Sequence, residues 1–255
     1  MASVPADHLK QLRLKLKHYR RNRELFGRPC SFATFPVRWI FDGVRWGRLG
    51  RYISLSRRVP GWTRGLEAVA LATACQLLPD GAIILENGSF LGCSTVLLAG
   101  ARKLKGSGMV HCVDPFDATG DSFSVPIYRA IRDKLGAPIR QVFDENIFRA
   151  GLTGWVKVHQ GRARDVAATW TDPIDMLFLD GDQSYEGAQE AYKSWSPFLK
   201  IGGIIAVHNS APGSYNKNHD GQMRLVAEKI HPPSYEEVRR TGTTTFAQKI
   251  SDYDE

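Results

Sequence analysis

The chain has 255 residues, 43% of them hydrophobic, which is enough for one sizeable globular core. Its formal net charge of +8 is uneven: residues 1–65 hold 15 Lys and Arg against 3 Asp and Glu, and the remainder is slightly acidic. No apolar run of about 18 residues argues for a membrane span, no leader-like region argues for export, and the four cysteines show no Cys-x-x-Cys spacing, so zinc and dithiol chemistry are set aside and a cytoplasmic setting is expected.

Residues 7–25 read as a basic amphipathic helix, with Leu9, Leu12, Leu16 and Tyr19 on one face and Lys10, Arg13, Lys17, Arg20 and Arg21 over much of the rest. Two uses are open for it. Its leucine face could dock on the main domain or on a second copy, or its charge could meet an anionic surface, nucleic acid or a phosphorylated acceptor. Residues 28–64 are rich in aromatics, Gly and Arg without a clear period, which suggests short helices packed on a main domain, or a lid. Leu66–Leu78 is a helical run closed by Pro79-Asp80-Gly81. We therefore divide the chain into an extension, 1–65, and a main domain, 66–255.

From residue 82 the pattern alternates. Strands are expected near 82–86, 109–113, 155–159, 174–179 and 203–208. Helices are expected near 93–104, 127–135, 141–150, 162–169 and 186–199, and again near 220–230. Such alternation argues for a doubly wound α/β fold, a parallel sheet covered on both faces. Tyr235–Arg239 and Thr243–Ile250 flank Thr241-Gly242 and read as a terminal hairpin.

The first strand ends in Leu-Glu86-Asn-Gly88-Ser-Phe-Leu-Gly92-Cys-Ser94, with a helix following at once. Glycine lets backbone approach a ligand closely, and a helix start offers unpaired N–H groups. The loop is neither Gly-x-Gly-x-x-Gly nor a P-loop. The second strand ends in Val113-Asp114, an acid placed as in folds that hold a ribose diol. Asp114 also suits a turn cap before Pro115. Two further segments are Phe178-Leu-Asp180-Gly-Asp182 and Gly202-Gly-Ile-Ile-Ala-Val-His208-Asn209.

These four segments, in this order, resemble the class I S-adenosylmethionine-dependent methyltransferases. Within them the chain is most similar to the bacterial small-molecule O-methyltransferases that include the macrolide-sugar enzymes, and more distantly to catechol and caffeoyl-coenzyme A O-methyltransferases. The resemblance spans about residues 66–250. It implies a Rossmann-like, mostly parallel seven-stranded sheet with a reversed last strand. It also implies S-adenosylmethionine as cofactor and a small hydroxylated acceptor. The Gly88–Gly92 loop, Ser89 and Ser94 would meet the cofactor's amino acid end, Asp114 its ribose, and Gly161-Arg162-Ala163 its adenine. Glu86, Phe90, Asp180 and Asp182 would lie around it. Phe90 also has a lesser reading as core packing, and Arg162 suits solvent better than the adenine.

In metal-dependent relatives three strand-end residues hold a divalent cation that activates the acceptor hydroxyl. The matching positions here are Asp180, His208 and Asn209, so a metal, manganese or magnesium, is expected with Asp180 and His208 as catalytic residues. His208 departs from the relatives' aspartate, which favours manganese, iron or zinc over magnesium. Gln183 stands where they carry a lysine. His208 has three open readings: ligand, general base, or a strand-end histidine bonded to backbone. Asn209 is open between ligand and turn residue. The implied activity is O-methylation by a cytoplasmic, homo-oligomeric enzyme. The alternatives are an RNA methyltransferase using the basic arm for phosphate contacts, and a cofactor-binding protein that has lost acceptor chemistry.

Overall fold

The computed structural model describes residues 35–213 and 218–252. The basic helix expected at 7–25 lies outside these residues. The segment read as aromatic and aperiodic begins with two helices, α1 (Phe35–Trp46) and α2 (Leu49–Ser56). Buried Asp42 accepts from Ser54 Oγ at 2.7 Å and pairs with Arg57, which fixes α1 on α2. Outward, α1 exposes Ile40, Phe41 and Val44.

α3 (Gly65–Leu77) follows, then β1 (Ile83–Asn87), α4 (Cys93–Lys105) and β2 (Met109–Asp114). Next come α5 (Val125–Leu135), α6 (Ile139–Arg149), β3 (Val156–Gln160), α7 (Ala163–Ala167) and β4 (Ile174–Leu179). The chain closes with α8 (Tyr185–Trp195), β5 (Leu199–Val207), α9 (Gly221–Lys229), β6 (Tyr235–Thr241) and β7 (Thr244–Lys249). The sheet order is β3-β2-β1-β4-β5-β7-β6. The first five of these strands pair in parallel, and β7 is antiparallel to both its neighbours. This is the doubly wound sheet with a reversed last strand that the sequence led us to expect.

Alternation along the strands sorts the core into two layers. Ile84, Val110, Cys112, Met176, Phe178 and Ala206 face the layer built by α2, α3, α4 and α6. Leu85, Val113, Leu177, Leu179, Ile205 and Val207 face α8 and α9. Packing continues across residue 65, because Leu49, Tyr52, Ile53 and Val59 belong to the first layer. A Cβ at Gly100 would fall 2.2 Å from the Tyr52 ring, so α2 needs a bare helix surface on α4. Cys75, Cys93 and Cys112 are buried free thiols that serve as small apolar groups.

Buried charges anchor α3 at both ends. Arg102 of α4 is fully buried, and its guanidinium donates to the carbonyls of Cys75, Leu78, Pro79 and Ser107. A charged donor saturated by carbonyls holds the C-terminal end of α3 in place. At the other end Glu67 is buried against the turn between β6 and β7. Among the described residues no helix is long and apolar enough to cross a membrane.

Candidate active site

The carboxyl ends of β1, β2, β4 and β5 share one edge of the sheet, where open parallel sheets hold ligands. Gly88 leaves β1 at φ +93, and a Cβ there would stand 2.4 Å from the Asp180 carbonyl oxygen. The loop after β1 therefore lies directly on the loop after β4, a contact only glycine permits. Gly92, at φ +90, precedes α4, and no side chain caps that helix start. Its first-turn N–H groups and positive dipole end are set to receive a carboxylate.

Asp114 is half-buried at the end of β2. Its Oδ2 accepts from the backbone N–H of Ser89 at 2.9 Å and Phe90 at 2.8 Å, and its Oδ1 from Phe116 at 2.6 Å. It thus stitches two loops together and keeps acceptor capacity on Oδ1 for a hydroxyl. Both readings of Asp114, turn residue and diol acceptor, are served by one geometry. Burial raises its pKa against the pull of the three N–H groups.

Several of the expected residues have structural partners of their own. Glu86 is fully buried beneath the loop. Ser89 Oγ donates to it at 2.7 Å, Cys112 Sγ at 3.2 Å, and Thr95 Oγ1 also donates. Ser94 is buried beside it, and burial raises the pKa of this carboxyl. Glu86 shapes the loop from inside and does not line the mouth. Asp182 accepts from the Ser184 N–H at 2.9 Å, and Ser184 Oγ in turn caps α8 through Gly187. Its visible work is at that helix start. Arg162 is exposed just before α7, as its solvent reading required, and Ala163 packs on the second core layer.

The centre of the edge holds a cluster that only partly matches expectation. His208 is 2% exposed; its Nδ1 lies 2.6 Å from Asp180 Oδ1 and its Nε2 lies 3.3 Å from Glu67 Oε1. Burial opposes charge on the ring, but the two carboxylates outweigh it and hold the pKa up at about 10. Burial would likewise raise Glu67, but His208 and Thr243 outweigh it and hold the carboxyl at about 2. Glu67 Oε2 accepts from the Thr243 N–H at 2.8 Å and from its hydroxyl at 2.7 Å. Asp180 is raised by burial, against the pull of His208. Its Oδ1 accepts from His208 and, at 3.4 Å, from Gln183 Nε2. Its Oδ2 carries no hydrogen bond among the described residues.

The two flanking carboxylates favour the charged ring and so count against two readings of His208: a doubly protonated ring would have no lone pair for a metal, and an imidazolium could not take a proton from an acceptor. The ring is bonded to side-chain carboxylates, so the reading as a histidine bonded to backbone fails as well. Asn209 adopts φ +51 at the turn out of β5, the geometry of its turn-residue reading.

Aromatic side chains line the same edge. Trp62, Phe90 and Tyr128 form a trio with ring centroids 5.1–5.8 Å apart, and Trp62 is 40% exposed. Burial and the nearby charges of Asp180 and Asp121 raise the Tyr128 phenol. Asp121 and His219 face each other at 3.3 Å, with the Phe123 ring tilted against the imidazole at 4.8 Å. None of Glu67, Trp62, Tyr128 or Asp121 was singled out by sequence motif. Glu67 did leave a signal, since it is the lone charge in the otherwise apolar α3 segment.

Residues 85–210 match the profile of a family described as a methyltransferase domain. This chain carries a methyltransferase domain. Solved structures share the fold of that domain. O-methyltransferase TomG from Streptomyces achromogenes, in complex with SAM, is 19% identical, with 80% of this chain and 90% of TomG covered at a TM-score of 0.51. The O-methyltransferase NovP is 15% identical, covering 72% and 79% at 0.53. Cofactor-bound Rv0187 from MTB is 19% identical, covering 82% and 94% at 0.60.

The residues of the methyltransferase domain suit S-adenosylmethionine in kind: an uncapped helix start for the cofactor's carboxylate, and an acid with acceptor capacity at the end of β2. A divalent metal does not fit the donor set. Both nitrogens of His208 are engaged, and among the described residues no group of three His, Cys, Asp or Glu is arranged to hold an ion.

The clasp on His208 has a pH consequence. Its folded pKa, about 10, lies above the ordinary 6.5, so its contribution to stability is complete below pH 6.5 and is lost as pH rises towards 10. Thermal unfolding of the wild type should decline across that window. The loss should be smaller in His208→Asn, which has nothing to titrate there. Equal declines in both proteins would show that the ring is not charged.

Proposed function

We propose that this methyltransferase domain moves a methyl group from S-adenosylmethionine to a hydroxyl oxygen of a small molecule. The observation that carries the reading is the contact of Gly88 with Asp180. It sets the cofactor loop against the backbone of Asp180, whose carboxylate Oδ2 has no hydrogen bond among the described residues. The cofactor, when bound, supplies an electrophilic methyl on a sulfonium. The chain's own residues then hold it, orient the acceptor and accept its proton.

In this account Gly88, Ser89, Phe90 and the start of α4 with Ser94 hold the amino acid end, and Asp114 accepts from the ribose. Residues 161–163 border the adenine, with Ala163 the apolar contact. Glu86 acts through the loop and Asp182 through α8. Asp180 Oδ2 takes the acceptor's proton, and burial supports that role by raising its pKa. His208 and Glu67 position Asp180. Trp62, Phe90 and Tyr128 form an apolar wall that excludes water beside the reacting atoms. No step requires a metal.

The experiment is methyl transfer from methyl-tritiated S-adenosylmethionine to a panel of phenols, sugars and other hydroxylated metabolites, with transfer RNA in parallel. Label on a small molecule, stable to mild base as an ether, is the expected result. Label on RNA alone would replace this reading with an RNA methyltransferase. Tight cofactor binding without transfer to anything would leave a binding protein.

A further inference from the structure

We propose that the outer face of α1 docks on an anionic lipid surface. The inference goes beyond the proposed methyl transfer and does not depend on it. Ile40, Phe41 and Val44 of α1 are 58%, 67% and 81% exposed. At about 100° per residue the three share one side of the helix, opposite buried Asp42 and opposite Trp46, which packs on the first core layer. Arg45 borders them, and Arg48 and Arg51 are exposed on the turn into α2 and on α2 itself. Among the described residues none of these three arginines pairs with a carboxylate. Residues 35–65 hold seven arginines and one acid, Asp42, and that acid is taken up inside by Ser54 and Arg57.

Exposed apolar side chains beside arginines without acidic partners fit a bilayer surface. There the apolar groups enter the acyl boundary while the cations stay among anionic headgroups. Other occupants fit less well. A second copy seated on the same face would bring two sets of arginines together, and like charges across an interface repel. Residues 1–34, which end where α1 begins, hold eight Lys and Arg against two Asp and Glu, the same sign again. Nucleic acid would satisfy the arginines through its phosphates but leave Ile40, Phe41 and Val44 without an apolar partner. The basic residues before 35 add to the attraction of an anionic surface and are continuous in sequence with α1. Beyond residue 65 the chain is slightly acidic, so the attraction belongs to this end alone.

The test is co-sedimentation of the full chain with sucrose-loaded vesicles, either phosphatidylcholine alone or equimolar phosphatidylcholine and phosphatidylglycerol. Wild type should sediment with the anionic vesicles, less so as salt rises, and stay in solution with the neutral ones. Phe41→Ser combined with Val44→Ser should weaken the partition by roughly tenfold or more, the factor that burying one such side chain supplies. Arg45→Gln, Arg48→Gln and Arg51→Gln should each weaken it by roughly fivefold. The arginine series decides the matter should the apolar pair misfold; near-ultraviolet circular dichroism checks the fold of each variant. Wild type that ignores anionic vesicles, or binds both kinds equally, would overturn the proposal. Folded α1 variants that bind as wild type does would assign the binding to residues before 35 and overturn it too. Two further outcomes replace the lipid with another occupant. One is a wild-type dimer in light scattering that the Phe41→Ser, Val44→Ser variant breaks into monomers. The other is binding to transfer RNA that anionic vesicles fail to displace.

Discussion

Asp180→Asn will lower kcat/KM by roughly 10²–10⁴-fold, the range that a positioned general base supplies, while affinity for S-adenosylhomocysteine stays nearly unchanged. The substitution is close to isosteric. The amide oxygen can still accept from His208 at the Oδ1 position, so the clasp survives. What disappears is the proton-accepting Oδ2. The loss should appear in kcat, because the acceptor's proton moves only in the transition state. The check is steady-state kinetics with the small acceptor found by labelled transfer. A rate that falls only a few-fold would remove Asp180 from proton transfer. A cofactor affinity that collapses with it would make Asp180 a cofactor ligand first.

Glu67→Ala should be the most destabilising single change at this edge. It removes one of two carboxylates from a buried imidazolium and at once leaves the Thr243 N–H and hydroxyl without their acceptor. Breaking a buried charge pair by deleting one partner costs about 3–5 kcal/mol. For a chain of this size each kcal/mol lowers Tm by roughly 2–4 °C, so a fall on the order of 10 °C is expected. Urea unfolding followed by tryptophan fluorescence measures it. Glu67→Gln should lose less, because its amide oxygen can still accept from Thr243. A loss below about 1 kcal/mol, the scale of an exposed pair, would mean that the clasp is not buried and paired as described.

The core strands were legible because each carries its own local record: an apolar run, a terminal acid or glycine, then a helical period. Glu86-x-Gly88, Asp114, Asp180 and His208 all end their strands on one edge, as the motif order implied. β5 was read four residues short. It starts at Leu199 and crosses Gly202-Gly203 with a shift in register between Ile174 and Met176 of β4, and paired glycines look like a turn in sequence. The partners of His208 were not legible. Glu67 meets Thr243 across 176 residues of chain, and nothing local to either predicts the meeting. That missing partner is what changes the chemistry. A strand-end histidine beside one aspartate can serve as ligand or base, whereas two carboxylates draw the same ring towards its charged form. Glu86 and Asp182 have partners that the motif did not name, for a related reason. A motif records that an acid is needed at a position, but not whether it faces a ligand or ties a loop from beneath.

Calorimetric titration of the full chain with S-adenosylmethionine and with S-adenosylhomocysteine tests the central claim most directly. The account predicts one binding event per chain for each, at micromolar affinity. Asp114→Ala should weaken it by about 1.5–3 kcal/mol, the worth of hydrogen bonds to a charged group, together with some disorder of the loop that Asp114 stitches. His208→Asn should change it little. No heat with either compound, or binding of NAD in their place, would contradict the account.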